Sequence, residues 1–169
     1  MPIWTVLQRE YDLPRNIAFL DTNVLVSLMD DRDQWHENTH AVLELNEFRW
    51  AVTHANLIEA WNLLVGRGKR IDLAHDLMNW ALTPGQVILV GDAIEPVATA
   101  SLYSRIHRVD LVDAGLLDLT SRVSADCGLV PYAHVATYDA ADFLRLFGTA
   151  GLTFHVYDMR DASSTSFVE

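Results

Sequence analysis

Short apolar runs alternate along the chain with longer segments in which apolar residues recur every three to four positions. The short runs predict buried strands at 17–20, 50–53, 86–90, 134–137 and 152–157. The longer segments predict helices at 24–29, 34–47, 56–65, 71–82, 93–107, 111–124 and 141–147. Because strands that alternate with helices form parallel sheets covered on both faces, the pattern predicts an α/β fold.

Length and composition narrow the class of protein. The chain has 169 residues, of which 50% are hydrophobic and 21% charged, as in a single globular domain with a sizeable core. This composition excludes a fully disordered chain. No apolar run approaches the roughly 20 residues that span a bilayer, and residues 1–10 lack the pattern of a secretory signal. The single cysteine, Cys127, excludes an internal disulfide, so we expect a cytoplasmic protein with no membrane partner.

The charge balance bears on nucleic-acid binding. Twelve Lys and Arg against 23 Asp and Glu give a net charge of −11, whereas nucleic-acid binders usually carry a basic surface. A nucleic-acid partner would therefore need local basic groups, a bound metal or a partner protein. The densest basic segment holds Arg67, Lys69 and Arg70, and Arg105 lies near the end of a predicted helix. These four could bind phosphates, or they could be a solvated turn and a cation that suits a helix C-terminus.

Four acidic residues stand where an α/β sheet binds its ligands. Asp21 and Asp139 directly follow predicted strands, whose carboxyl ends meet at one edge of a parallel sheet. Glu59 and Asp113 lie near the starts of predicted helices. If the four share one cavity, a divalent cation would offset their repulsion, and hard oxygen ligands favour Mg²⁺ or Mn²⁺. The set therefore predicts metal-assisted hydrolysis.

Each of these acids, taken alone, also has a purely structural explanation. Asp is a preferred N-cap residue, so Asp21 and Asp139 could simply cap the helices that follow them. Glu59 and Asp113 each stand three residues after another cap-forming residue, which is the spacing of a capping box. The sequence leaves both interpretations open for each acid.

The order of the acidic motifs resembles that of the PIN-domain ribonucleases, and in particular the VapC-type toxins of toxin–antitoxin modules. The similarity is carried by Asp-Thr-Asn at 21–23, Leu-Ile-Glu-Ala at 57–60, Asp-Ala at 113–114 and Thr-x-Asp-x-x-Asp-Phe at 137–143. Residues 35–40 resemble a His-containing segment that many of these toxins carry. The similarity extends over roughly residues 17–157.

This resemblance implies a three-layer α/β/α sandwich with a central, mostly parallel, Rossmann-like sheet. We accordingly expect an N-terminal extension at 1–16, a PIN-like nuclease domain at 17–158 and a flexible tail at 159–169. The resemblance further implies an Mg²⁺- or Mn²⁺-dependent endoribonuclease with an RNA substrate, an antitoxin partner and a homodimeric state.

The resemblance also implies roles for individual residues. Asn23 and Thr137 would orient waters or ligands beside the acids. The catalytic and metal-binding residues would be Asp21, Glu59, Asp113 and Asp139.

Two other functions and two further motifs stay open on the sequence. A similar acidic site could hydrolyse small phosphate esters, or the chain could be a non-catalytic module that binds RNA or a basic protein. Asp142 is either a fifth ligand or a solvated surface residue. His36 and His40, spaced i and i+4, are either metal ligands on one helix face or exposed polar residues.

Overall fold

A sheet of five parallel strands forms the centre of the fold in the computed structural model. Residues 3–6, 9–45, 47–91, 101, 104–106, 108–129, 133–146 and 154–161 are described, with side chains from residue 13 onward. The strands are β1 (Ile3–Val6), β2 (Arg9–Asp12), β3 (Ile17–Leu20), β4 (Arg49–Thr53), β5 (Ile88–Val90), β6 (His134–Thr137) and β7 (His155–Asp158). The order in the central sheet is β5-β4-β3-β6-β7, and each neighbouring pair is parallel.

Six α-helices and one short 3-10 helix surround this sheet in the described part of the chain. They are α1 (Thr22–Met29), α2 (His36–Leu45), α3 (His54–Gly66), α4 (Ile71–Leu82), α5 (Leu111–Asp126), α6 (Ala140–Leu146) and the 3-10 turn Met159–Asp161. Among the described residues, no helix combines the length and hydropathy that crossing a bilayer requires. α5 ends where Gly128 adopts a φ of 56°, a conformation that glycine takes without steric cost.

The two faces of the sheet carry separate hydrophobic clusters. Successive side chains of a strand point to opposite faces, so Phe19 of β3 packs in one cluster and Leu20 in the other. The first cluster includes Leu116 and Leu117 of α5, and the second includes residues of α1, α3 and α4. All four residues of β3 and of β6 are buried because helices cover both faces. The predicted three-layer α/β/α sandwich is confirmed.

The element boundaries follow the hydrophobic pattern closely in the middle of the chain. The predicted strands at 17–20 and 134–137 and the predicted helix at 71–82 have the observed limits. The strand predicted at 86–90 begins only at Ile88, since Gln86 belongs to the turn after α4. Of the helix predicted at 93–107, residues 101 and 104–106 are helical and the remainder lies outside the described residues. The helix at 141–147 and the strand at 152–157 likewise extend into ranges that are not described.

The two ends of the chain contact the domain differently. β1 and β2 pair antiparallel as a separate two-stranded sheet, with Ile3 opposite Asp12. Leu13, directly after this hairpin, is buried in the first cluster. Met159 is buried in the second cluster, and its carbonyl accepts a hydrogen bond from Asn38 Nδ2 at 2.7 Å. Residues 162–169 of the predicted tail lie outside the described residues, and the three predicted domain limits stay predictions.

Candidate acidic site at the carboxyl edge of the sheet

The strand order reverses beside β3. The chain runs outward from β3 through β4 to β5, then returns to place β6 on the other side of β3. In open α/β sheets such a reversal leaves a crevice beyond the carboxyl ends of the strands. Asp21 follows β3 and Asp139 closely follows β6, so both residues stand at this crevice.

Asp21 is the most buried of the predicted site acids, with 3% of its surface exposed. It is the N-cap of α1, and its Oδ1 accepts a hydrogen bond from the Thr22 backbone N–H at 2.6 Å. Its Oδ2 accepts a second hydrogen bond from Thr137 Oγ1 at 2.6 Å. The pKa of Asp21 is raised to about 6. Burial is the main cause, and the charges of Glu59 and Asp139 add to it, whereas the two hydrogen bonds act in the opposite direction. The capping interpretation is therefore correct for Asp21, and its carboxylate also faces other acids.

Thr137 connects the two strands at the crevice. Its hydroxyl accepts hydrogen bonds from Asn23 Nδ2 at 3.1 Å and from the Asp139 backbone N–H at 2.9 Å. The one hydroxyl hydrogen is then directed to Asp21 Oδ2. Asn23 Oδ1 in turn accepts from the Tyr138 backbone N–H at 3.2 Å. Thr137 thus orients Asp21 directly and Asn23 contacts Thr137, while the implied role of both residues toward waters or ligands stays a prediction.

Glu59 of α3 is held by a hydrogen bond from the first residue of α1. Thr22 Oγ1 donates to Glu59 Oε2 at 2.5 Å and accepts from Asn56 Nδ2 at 3.0 Å. The capping-box interpretation of Glu59 is wrong, because α3 begins at His54 and its N-cap is Thr53. Glu59 stands one turn further along the helix, half-buried, with its carboxylate free of any capping role.

Asp113 lies in the first turn of α5. The N-cap of this helix is Asp110, whose Oδ1 accepts from the Val112 backbone N–H at 2.8 Å. Asp113 is the third residue of the helix, which is the position of the second member of a capping box, so the capping-box interpretation of Asp113 stays open beside the metal-ligand one. Burial, with a smaller contribution from the charges of Asp21, Asp110, Glu59 and Asp139, raises the pKa of Asp113 to about 7.

Two of the four predicted acids, Asp21 and Asp113, lie close enough to the others for their pKa values to be raised by them. Asp21 and Asp113 each respond to the charges of Glu59 and Asp139. Among the described residues, however, no three His, Cys, Asp or Glu side chains are arranged as a ready metal-binding group. Asp139 is exposed, whereas Glu59 and Asp113 are partly buried and Asp21 is buried.

The predicted phosphate-binding residues lie elsewhere. Arg70 precedes α4 and forms ion pairs with Asp72 at 3.1 Å and with Asp31 at 3.6 Å. Asp31 follows the C-terminal end of α1, and eight helical residues place that end about 12 Å from Asp21. Arg67 caps the C-terminal end of α3, again away from the crevice, and Lys69 is exposed beside it. Arg105 is exposed and helical, and its role as a phosphate ligand stays a prediction.

The two histidines of α2 have a structural task. His36 Nδ1 donates to the Ser27 carbonyl at 2.8 Å, and His40 Nε2 donates to the Leu28 carbonyl at 3.1 Å. Both carbonyls lie in the last turn of α1, where a helix cannot satisfy its own acceptors. The histidines therefore close the C-terminal end of α1, and their interpretation as metal ligands stays a prediction. Asp142 is exposed, with Arg145 at 4.0 Å.

Three polar residues of the site were missed on the sequence. Thr22, Thr53 and Asn56 are buried and connect the end of β4 to Glu59. The sequence predicts Asn56 as the N-cap of α3, but in the structure the N-cap is Thr53. A polar side chain at the start of an otherwise apolar helix was the available signal.

Comparison with known proteins places the fold. No protein-family model and no curated protein matches the chain. Solved structures do match. A VapC toxin from Mycobacterium tuberculosis, described as cleaving the sarcin–ricin loop, superposes with a TM-score of 0.63 at 17% identity, over 76% of this chain and 94% of the toxin.

Two further structures are similar. A toxin–antitoxin complex from Klebsiella pneumoniae has a TM-score of 0.55 at 15% identity, over 84% of this chain and 97% of that one. A VapBC complex from Rickettsia felis, bound to a promoter DNA fragment, has a TM-score of 0.54 at 13% identity, over 84% and 99%. The chain therefore has the fold of the VapC-type toxins.

Proposed function

We propose that this protein is a Mg²⁺- or Mn²⁺-dependent endoribonuclease of the VapC type, acting as the toxin of a toxin–antitoxin module. One observation carries the proposal: Asp21 and Asp113, at the crevice beside β3, each have a pKa that the charges of Glu59 and Asp139 raise, although these four acids are spread over 119 residues of sequence. The same positions match the acidic motifs of the PIN-domain ribonucleases. The shared fold supports the same conclusion.

The donor set suits a hard divalent cation. Every candidate ligand is a carboxylate oxygen, which Mg²⁺ and Mn²⁺ prefer. Burial is the main cause of the raised pKa values of Asp21 and Asp113 and the neighbouring acids add to it, so a bound cation would offset the cost of keeping both groups ionised. Asp21, Glu59, Asp113 and Asp139 would hold the ion. When bound, it would supply an activated water and stabilise the oxygen that leaves phosphorus.

The chain's own residues orient the acids and admit the substrate. Thr137 and the Thr22 backbone hold both oxygens of Asp21 in one direction, which leaves little rotamer freedom to lose when a ligand binds. Asp139 is exposed at the mouth of the crevice, where a phosphodiester would first arrive. Its backbone is tied to Thr137, so the mouth and the buried acid are coupled through one hydroxyl.

The partners follow from the same proposal. A chain with a net charge of −11 attracts a basic protein, and an antitoxin with basic side chains would be held by the acidic crevice. The similar structures include toxin–antitoxin complexes. Self-association as a homodimer is part of the proposal, and large apolar side chains such as Ile58 and Leu111 are exposed on the helices.

The direct test is RNA cleavage by the purified protein. We expect cleavage with Mg²⁺ or Mn²⁺, its abolition by EDTA, and a loss of at least about 100-fold in Asp21→Asn. Asp76→Asn, an exposed acid on α4, is the matched control and should cleave like the wild type. Undiminished cleavage by Asp21→Asn would refute the assignment. Turnover of a small phosphate ester with RNA left intact would indicate a phosphohydrolase instead.

One observation favours a non-catalytic binding module as the second candidate. The acids of the described chain are not already arranged around a common ion position. Calorimetry separates the two functions: a nuclease binds Mn²⁺ and loses that binding in Asp21→Asn, whereas a binding module captures its partner at full affinity without Mn²⁺.

A further inference from the structure

We propose that Asn56 is a positioning residue that acts through Thr22 on Glu59. It fixes the direction of the Thr22 hydroxyl, which holds one carboxylate oxygen of Glu59 and leaves the other directed to the crevice. This inference rests on the proposed function, in which Glu59 is a metal ligand.

The hydrogen bonds of this group have only one consistent direction. Thr53 Oγ1 accepts from the Asn56 backbone N–H at 3.1 Å and donates to Asn56 Oδ1 at 2.5 Å. The side-chain amide of Asn56 therefore presents its N–H group to Thr22 Oγ1 at 3.0 Å. With its lone pair engaged, the Thr22 hydroxyl directs its single hydrogen to Glu59 Oε2 at 2.5 Å.

The burial of Asn56 indicates that its side-chain amide has a specific hydrogen-bonding role. Asn56 is fully buried at the start of a helix whose other buried residues are apolar. Burying an amide is unfavourable unless its donors and acceptors are paired. The side-chain amide of Asn56 makes two such pairs: its oxygen accepts from the capping hydroxyl of Thr53, and its N–H group donates to Thr22. The contact with Thr22 is the one that extends beyond the cap of α3 to Glu59.

The relay also ties together two elements of the site. Thr22 directly follows Asp21 and is the first residue of α1, whereas Asn56 and Glu59 belong to α3. One hydroxyl therefore sets the position of the Glu59 carboxylate relative to Asp21. A carboxylate whose outer hydrogen-bond partner is removed typically loses metal affinity by 10-fold to 100-fold.

The experiment is a double-mutant cycle on Mn²⁺ affinity, measured by calorimetry. We expect Thr22→Val to weaken binding by roughly 10-fold, Asn56→Ala by a similar factor, and the double variant by no more than Thr22→Val alone. Thr22→Ser keeps the hydroxyl and should keep wild-type affinity. Thr120→Val is the matched control, because it removes a buried hydroxyl that contacts only the Leu116 carbonyl within α5.

A second readout needs no metal. In the metal-free protein, exchange of the Asn56 side-chain amide hydrogens, measured by NMR, should be slow in the wild type and in Thr22→Ser and fast in Thr22→Val. Unchanged exchange in Thr22→Val would overturn the relay, as would unchanged Mn²⁺ affinity in that variant or additive losses in the double variant. A wild type that binds no Mn²⁺ would instead overturn the proposed function, and with it the role of Glu59 as a ligand.

Discussion

Titratable groups are buried at both edges of the central sheet, but their hydrogen-bond partners differ. At the carboxyl edge, Asp21 receives hydrogen bonds on both carboxylate oxygens. At the amino edge, His134 stacks on His155 with ring centroids 5.1 Å apart and packs against Phe48 at 4.8 Å. His134 Nδ1 is buried and makes no hydrogen bond with the described part of the chain.

Burial favours the neutral form at both edges. It raises the pKa of Asp21 to about 6, and it lowers the pKa of His134 to about 4 with a contribution from His155. The difference lies in the hydrogen-bond partners: two donors are aimed at the carboxylate of Asp21, whereas Nδ1 of His134 has no acceptor in the described part of the chain. Oriented donors, rather than the mere presence of a titratable group, distinguish a prepared site from a packed interior.

Removal of the Thr137 hydroxyl should have the largest effect on this contrast. Thr137→Val leaves Asp21 Oδ2, Asn23 Nδ2 and the Asp139 N–H without their shared partner, so we expect a loss of about 2–3 kcal/mol in the free energy of unfolding. Urea denaturation measures it, with Thr137→Ser as the hydroxyl-retaining control. Equal stability of the Val and Ser variants would contradict the importance of the hydroxyl.

The acidic edge should also control stability as a function of pH. A carboxyl whose folded pKa is raised stabilises the fold below its unfolded pKa, 3.8, and this contribution is lost as pH rises through the folded value, about 7 for Asp113. Between pH 5 and pH 8, the free energy of unfolding of the metal-free wild type should therefore fall by about 1–3 kcal/mol relative to that of Asp113→Asn. Parallel pH profiles of the two proteins would contradict this coupling.

The amino edge should respond with the opposite sign. A histidine whose folded pKa is lowered stabilises the fold above its unfolded pKa, 6.5, and this contribution is lost as pH falls through about 4. His134→Phe keeps an aromatic ring but cannot titrate. Between pH 6.5 and pH 4, its free energy of unfolding should fall by about 1–2 kcal/mol less than that of the wild type. A variant that loses as much as the wild type would show that other groups carry the acid sensitivity.

The smallest expected change in stability is at the C-terminal end of α1, the helix that begins beside Asp21. His36→Ala removes the hydrogen bond to the Ser27 carbonyl, and we expect a loss of about 1 kcal/mol in stability with no change in Mn²⁺ affinity. Chemical denaturation and calorimetry check the two halves of this prediction. A large drop in metal affinity would mean that this end of the helix is coupled to the crevice.

The fold and part of the site were predictable from the sequence because their signals are local. Strands buried on both faces read as short apolar runs, and amphipathic helices read as a 3.6-residue period. The strand-end positions of Asp21 and Asp139 follow from the same pattern, since parallel strands all end at one edge. Glu59 and Asp113 were candidates from their positions near predicted helix starts, and the motif resemblance added Asn23 and Thr137.

Only the tertiary structure decided which polar residues work together. Capping rules allow several neighbouring residues to cap one helix, so the choice of Thr53 over Asn56 as the N-cap of α3 depends on where the chain enters that helix. The relay from Asn56 to Glu59 joins α1 to α3 across 37 positions between Thr22 and Glu59. Hydrogen bonds of that kind have no periodicity along the chain, because they arise from the packing of whole elements against each other.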